Sequence, residues 1–330
     1  MLRLPRLRYL RPGSAREAAA ICAELGARAA LVAGGTDLYP KLKRRQFEPD
    51  TLVGLSHLRE LRGMARTADG SLELGALVTL AAASRHPKLV ATHPGYAEAA
   101  GLVSSPPLRN VGTIGGNLCV DTRCNYYDMT YEWRKAVGFC MKKDGDICLV
   151  APGSPRCWAV SSSDTAPVAI ALGATVGLTG PDGERELPVS ALYRDDGIDY
   201  LAKQPFEVVT ALRLPPADGL STAYVKLRRR GSIDFPIAGA GVALKLGADG
   251  AFESARVVLS GVGSHPVEAV SADRFLTGKK PDREVIVEAA ELAAKPAKPL
   301  DNADLSHFWR KKMIKVVVEQ ALEKAVSRHP

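Results

Sequence analysis

The stretch from Thr113 to Asp164 constrains the rest of this 330-residue chain more than any other. It opens with Thr113-Ile114-Gly115-Gly116-Asn117 and closes with Ser161-Ser162-Ser163-Asp164. Between these polar turns lie five of the six cysteines: Cys119, Cys124, Cys140, Cys148 and Cys157. A glycine pair lets backbone N–H groups approach an anion that a Cβ would keep away. Cysteines at this density, in a chain otherwise poor in them, point to a metal. Two cofactors meeting in one neighbourhood are the first expectation.

The chain is long for a single core, so two domains are expected. Its 46% hydrophobic and 24% charged content is that of a globular protein. No apolar run is long enough to span a membrane. The arginine-rich start, Met1 to Ser14, lacks the apolar core of a secretory signal. A cytoplasmic location follows, where cysteines serve as ligands or buried thiols rather than disulfides. The net charge of +8 includes the runs Lys41-Leu42-Lys43-Arg44-Arg45 and Arg228-Arg229-Arg230. Neither is interleaved with aromatics or carries a nucleic-acid motif, so no nucleic-acid partner is expected. Solvated faces, phosphate contacts or a patch for an acidic protein fit better.

Ser14 and Glu17 form a capping box for a helix to Leu25, stopped by Gly26, with Cys22 on its apolar face as a core thiol. A short buried strand, Ala29–Ala33, then runs into Gly34-Gly35-Thr36-Asp37-Leu38, a plausible phosphate cradle that does not match the Rossmann fingerprint. Strands at Thr51–Leu55 and Ser71–Gly75, with a helix between them, complete a small α/β unit. Ala76–Leu108 reads as helical, interrupted by prolines. The second glycine pair follows the first by about 80 residues, and the two could grip one diphosphate from two sides. Val120–Val160 carries six aromatics in 41 residues and reads as a small module around a metal centre. Asp164 caps a following helix that Gly173 stops. Pro215-Pro216-Ala217-Asp218-Gly219 reads as a linker. Beyond it, strands at Ser221–Arg228, Ala238–Leu246 and Ala255–Val262 are covered by helices Arg283–Ala294 and Phe308–Ala325.

The combination of Ala33-Gly34-Gly35-Thr36-Asp37-Leu38, Arg109-Asn110-Val111-Gly112-Thr113-Ile114-Gly115-Gly116-Asn117 and Ser163-Asp164 resembles the FAD-binding medium subunits of molybdenum hydroxylases, the xanthine dehydrogenase and carbon monoxide dehydrogenase superfamily. Tyr224-x-Lys226-x-x-x-Arg230-x-x-x-Asp234 is similar to that family's approach to its C-terminal domain. The resemblance implies an α+β fold. Residues 1–216 would be a two-part FAD-binding domain of the PCMH type, with 120–160 as an inserted iron–sulfur loop. Residues 217–330 would be a C-terminal three-stranded antiparallel sheet with covering helices, of the CO dehydrogenase flavoprotein type. It also implies FAD contacts from Leu31, Val32, Ala33, Gly34, Gly35, Thr36, Asp37 and Leu38, and from Thr113, Ile114, Gly115, Gly116 and Asn117. Asp164 would meet the adenosine or ribose region and Lys226 the isoalloxazine.

One departure stands out. About 40 residues separate the Gly-Gly-Asn turn from the Ser-Asp segment, and they hold Cys124, Cys140, Cys148 and Cys157 as C-x15-C-x7-C-x8-C. This insertion is similar to that of the medium (beta) subunit of 4-hydroxybenzoyl-CoA reductase, which holds an extra [4Fe–4S] cluster. Four thiolates also satisfy structural zinc, although paired C-x2-C knuckles are absent. Cys119 reads as a buried thiol near the flavin.

The resemblance gives the chain no substrate site and no catalytic residue. Substrate chemistry would belong to a molybdopterin-containing large subunit, reached through a [2Fe–2S] small subunit, in an (αβγ)2 complex. In the reductase-like reading ferredoxin supplies electrons through [4Fe–4S] and FAD for removal of the para-hydroxyl of 4-hydroxybenzoyl-CoA, a step of anaerobic aromatic degradation. Two alternatives stay open. One is the medium subunit of an oxidising hydroxylase for a purine, CO or an N-heterocycle. The other is a zinc-stabilised assembly module that has lost flavin.

Overall fold

The computed structural model describes residues 2–329. Ser14 caps the first helix, Ala15–Leu25, by accepting from the Glu17 amide at 3.1 Å, while Glu17 reaches back to the Gly13 amide at 2.6 Å. The helix covers a parallel three-stranded sheet ordered Arg8–Leu10, Thr51–Gly54, Ala29–Val32. Strand Leu72–Gly75 does not join this sheet. It pairs antiparallel with Val208–Leu214 in a five-stranded sheet that also holds Met64–Arg66, Thr175–Thr179 and Glu184–Pro188. The helix expected between Leu55 and Ser71 is a single 3-10 turn, Arg59–Leu61, followed by strand Met64–Arg66. The glycines and charges of that segment offer no apolar helical stripe.

The prolines of Ala76–Leu108 start helices rather than break them. Pro87, Pro94 and Pro106 each stand at the first position of a short helix, where their missing N–H has no intrahelical acceptor to lose. Helices Pro94–Leu102 and Thr165–Ala171 bury their alanines in one core with residues of the five-stranded sheet, the first packing on strand Ser221–Leu227 and the second on strand Ala238–Leu246.

The second domain carries a four-stranded antiparallel sheet, not three strands: Val267–Glu268, Phe252–Ser260, Ala238–Leu246, Ser221–Leu227. The extra strand is two residues long, too short to show an alternation. Helices Val270–Leu276, Arg283–Ala294 and His307–Val326 cover one face. No helix among the described residues is long and apolar enough to cross a membrane.

Residues 120–160 leave this framework as a closed excursion. At its base Arg123 and Val160 exchange backbone hydrogen bonds of 2.8 and 2.7 Å. Only one helix, Tyr131–Ala136, forms inside it. The second domain clamps it. Asn302 donates to the Trp158 carbonyl and accepts from the Asn125 amide at 3.0 Å. Arg310, fully buried, holds that loop by donating to the Leu300 carbonyl at 2.8 Å, to Asn302 at 3.3 Å, to the Ile237 carbonyl at 3.2 Å and to Gly261.

Replacing Arg310 with Met would strand these acceptors. Chemical denaturation should record a loss of about 2–4 kcal/mol, since several buried carbonyls lose their donor together. A pH effect comes from Asp273, whose carboxyl accepts from the Val257 amide at 2.8 Å and is raised by burial from 3.8 to about 7. Stability from this group is complete below the unfolded value and lost as pH rises through the folded one. The stability difference between Asp273→Asn and the wild type should therefore grow in the variant's favour from about pH 4 to pH 7 and then level off.

Candidate functional site

The first glycine turn ends strand Ala29–Val32. Gly34 packs so closely on the second segment that an added Cβ would stand 2.1 Å from the Val111 carbonyl oxygen, and Gly35 takes a φ of +69°. Among the described residues, the N–H groups of Gly34, Gly35, Thr36 and Asp37 donate to no protein acceptor. Consecutive amides left without partners in a glycine-rich turn are the physical form of an anion cradle.

The second turn differs. Helix Ile114–Leu118 begins at Thr113, and its leading amides are already used. Ile114 donates to Val78 at 3.0 Å, Gly115 to Ala76 at 3.0 Å, Gly116 to the Thr113 hydroxyl at 3.1 Å and Asn117 to the Thr113 carbonyl at 2.9 Å. Of the two turns expected to grip one diphosphate from two sides, the first carries unpartnered amides and the second has its leading amides bonded within the protein. Gly115 is glycine because a Cβ would lie 2.7 Å from that of Ala76. Here glycine serves packing, and the turn contributes shape rather than donors.

Two adjoining cavities meet between the turns. One, of about 500 Å³, is lined by residues 31–38 and by Thr113, Gly116, Asn117, Asp121, Arg123 and Phe235 among others. The other, of about 790 Å³, is mostly apolar and includes Gly115 and Phe206. They share Leu31, Ala33, Leu38, Phe47, Thr113, Gly116, Cys119 and Tyr200 as a common wall. An elongated ligand with an anionic middle could span both. Cys119, half-buried and raised by burial, stands at the join. Ile114 lies in the core instead of in either lining.

Asp164 and Lys226 line neither cavity. Asp164 accepts from Lys226 Nζ at 2.8 Å and from Tyr224 Oη at 2.8 Å, all three side chains buried. The pair fastens the second domain to the first, and a ligand role would require it to open. Asp164 also makes no capping bond to its helix. That task falls to Ser163, whose hydroxyl accepts from the Ala166 amide at 3.2 Å, and to Asn117, whose side-chain oxygen accepts from the Thr165 amide at 3.2 Å, the Thr165 hydroxyl at 2.7 Å and the Ser163 hydroxyl at 2.9 Å.

Cys124, Cys140, Cys148 and Cys157 are all buried, and Cys124, Cys140 and Cys157 pack with Tyr127 and Ala159 in one small core. Burial pushes the Cys124 thiol up to about 12 and Cys157 to about 11, each also raised by its cysteine neighbours. Backbone amides face these sulfurs, the Ala159 N–H at 3.4 Å from Cys157 Sγ. Donors aimed at sulfur favour thiolate over thiol. Among the described residues no three His, Cys, Asp or Glu side chains are drawn together closely enough for a single metal ion.

Between cysteines and glycine turn lies a charge network that sequence reasoning missed. Lys41, expected on a solvated basic run, is fully buried and donates to Asp121 at 2.6 Å. Its position one turn after Leu38 and next to Leu42 was the available signal. Lys142 donates to the other Asp121 oxygen at 2.8 Å, and Arg123 pairs with Asp37 and with Asp128 at 3.1 Å. Burial acts against the Asp121 carboxylate, but Lys142 and Lys41 hold it below its ordinary value.

Comparison with known proteins agrees with this geometry. A family model described as the FAD binding domain in molybdopterin dehydrogenase matches residues 5–217, and one described as the CO dehydrogenase flavoprotein C-terminal domain matches residues 222–325. The chain is 30% identical over 321 residues to the carbon monoxide dehydrogenase medium chain of Afipia carboxidovorans, covering 97% of this chain and 96% of that one. It is 26% identical to the 6-hydroxypseudooxynicotine dehydrogenase complex subunit alpha of Paenarthrobacter nicotinovorans, covering 98% and 96%. A solved chain of carbon monoxide dehydrogenase from Hydrogenophaga pseudoflava superposes with a TM-score of 0.82 at 28% identity over 99% of this chain and 100% of that one.

Gly116 separates ligand effects from packing effects. It borders both cavities, and an added Cβ meets only the Thr113 hydroxyl, at 3.0 Å. Gly116→Leu should lower flavin affinity at least tenfold, read by equilibrium dialysis, with little change in circular dichroism. Gly115→Val should instead lower the thermal midpoint, because it collides with Ala76.

Proposed function

The chain belongs to the family of FAD-binding medium subunits of molybdenum hydroxylases, and on that premise we propose how it divides its work between two cofactors. As a member it is the FAD-containing electron-transfer subunit of an oxidoreductase complex. The unpartnered amides of residues 34–37 would hold the FAD diphosphate. The Thr113–Asn117 turn would shape the wall beside it, and the two adjoining cavities would shelter the ring systems from water.

Cys124, Cys140, Cys148 and Cys157 fit a [4Fe–4S] cluster. The observation that carries this is four buried thiols in one loop, with backbone N–H groups directed at the sulfurs of Cys124 and Cys157. A zinc ion needs four sulfurs about 2.3 Å from one point. A cubane spreads its ligands over four irons, and four cysteine thiolates are its usual complement. Bound there, a cluster would supply one-electron chemistry beside a flavin that exchanges one electron or two. Cluster binding must displace protons from Cys124 and Cys157, so assembly should be favoured by higher pH.

For the complex as a whole, the inserted loop favours a 4-hydroxybenzoyl-CoA reductase type of reaction, with ferredoxin as donor and molybdopterin and [2Fe–2S] subunits as partners. A second reading, a subunit of an oxidising hydroxylase, is favoured by the names of the relatives, which are dehydrogenases. Co-purified partners should be assayed for reduction of 4-hydroxybenzoyl-CoA by a low-potential donor and for oxidation of CO, purines and N-heterocycles. Turnover in only one direction decides between the readings.

Anaerobically purified protein should contain flavin near one per chain, with about four iron and four labile sulfide. Zinc without labile sulfide would overturn the cluster assignment.

A further inference from the structure

Lys142 lies two residues beyond Cys140, and its ammonium is buried, with 5% of the side chain exposed. It donates to Asp121 Oδ1 at 2.8 Å, to Thr122 Oγ1 at 2.6 Å and to the Gly197 carbonyl. Gly197 is pressed against the cysteine pocket. A Cβ on it would stand 2.6 Å from Cys157 Sγ, and its amide donates to the Cys157 carbonyl at 3.0 Å. Lys142 is thus one peptide group away from a cysteine sulfur. On its other side Asp121 borders the cavity that holds the first glycine turn.

Three cations, Lys41, Lys142 and Arg123, meet three carboxylates, Asp121, Asp128 and Asp37, but Lys142 faces only Asp121. Asp121 is shared between two ammoniums, because Lys41 donates to its second oxygen at 2.6 Å. Lys41 also has Asp128 at 3.8 Å, whereas the remaining partners of Lys142 are neutral oxygens. A buried cation with only part of a carboxylate is costly unless further negative charge faces it. Four thiolates around iron and sulfide would provide that charge on the cysteine side.

We infer that Lys142 is a redox-tuning residue, whose ammonium stabilises the more anionic, one-electron-reduced state of a cluster held by Cys124, Cys140, Cys148 and Cys157, with Asp121 opposing it from the flavin side. The inference rests on the cluster assignment made above. The electron comes from the external reductant, adds one unit of negative charge and neither makes nor breaks a bond. Lys142 acts through its fixed charge and touches no substrate. Since Asp121 and Lys142 lie between the two cofactor positions, they also couple the sites electrostatically.

The test is a dithionite titration of the anaerobically purified full chain, followed by electron paramagnetic resonance of the cluster signal, with iron, sulfide and flavin measured on each sample. Lys142→Met, similar in length but uncharged, should lower the reduction equilibrium at least tenfold, a midpoint more negative by about 59 mV. Lys142→Arg should stay within threefold of wild type. Asp121→Asn should move the midpoint the other way, to more positive values. A merely structural clamp would alter unfolding without this opposite pair of shifts. Lys142→Met protein with a full cluster and an unchanged midpoint overturns the inference. If Lys142→Met loses its cluster, Asp121→Asn decides: a positive shift supports the inference and an unmoved midpoint overturns it. Absence of labile sulfide from the wild type overturns the cluster assignment itself, together with what rests on it, and is seen before any variant is made.

Discussion

The side-chain oxygen of Asn117 holds the first domain together. Three hydrogen bonds reach it from Ser163 and Thr165, which lie more than 40 residues further along the chain. They join the helix of the second glycine turn to the helix that packs both sheets. With Asn117 closing the domain across that gap, and Arg123 bonded to Val160 just inside it, residues 124–159 can leave the framework and return without disturbing it. A long excursion costs little extra loop entropy when its ends are fixed by neighbours in space. This is why the cysteine loop can be accommodated in a fold that matches carbon monoxide dehydrogenase medium chains over nearly their full length.

The two glycine pairs look alike as sequence and act differently in space. At the first, the backbone turns away from its sheet and its amides lack acceptors. At the second, nearby carbonyls of Ala76 and Val78 take the amides, and the glycines are needed for close approach. Anion binding needs both a small residue and unspent donors. Only the donors distinguish the two turns, and they depend on what other segments bring nearby.

Buried charge connects the parts. Arg310 braces Asn302, which ties the second domain to the loop, Lys226 and Asp164 join the domains, and Lys41, Asp121 and Lys142 bridge the loop to the first unit. Each is a group whose desolvation is offset only when its partners are all present. Such contacts add specificity to an interface that is otherwise alanine-rich packing.

The motifs Gly34-Gly35-Thr36-Asp37 and Thr113–Asn117, the cysteine-rich loop and the helix cap at Ser14 were legible because each depends on local chemistry: backbone freedom, thiol spacing, a hydroxyl before a helix. Tertiary structure decided the rest. It placed strand Leu72–Gly75 in a second sheet, turned Asp164 from helix cap to domain clasp, and buried Lys41 inside a basic run. Those outcomes depend on which distant groups arrive within hydrogen-bonding distance. A residue's own identity states what it can donate or accept, while the fold alone supplies the partner.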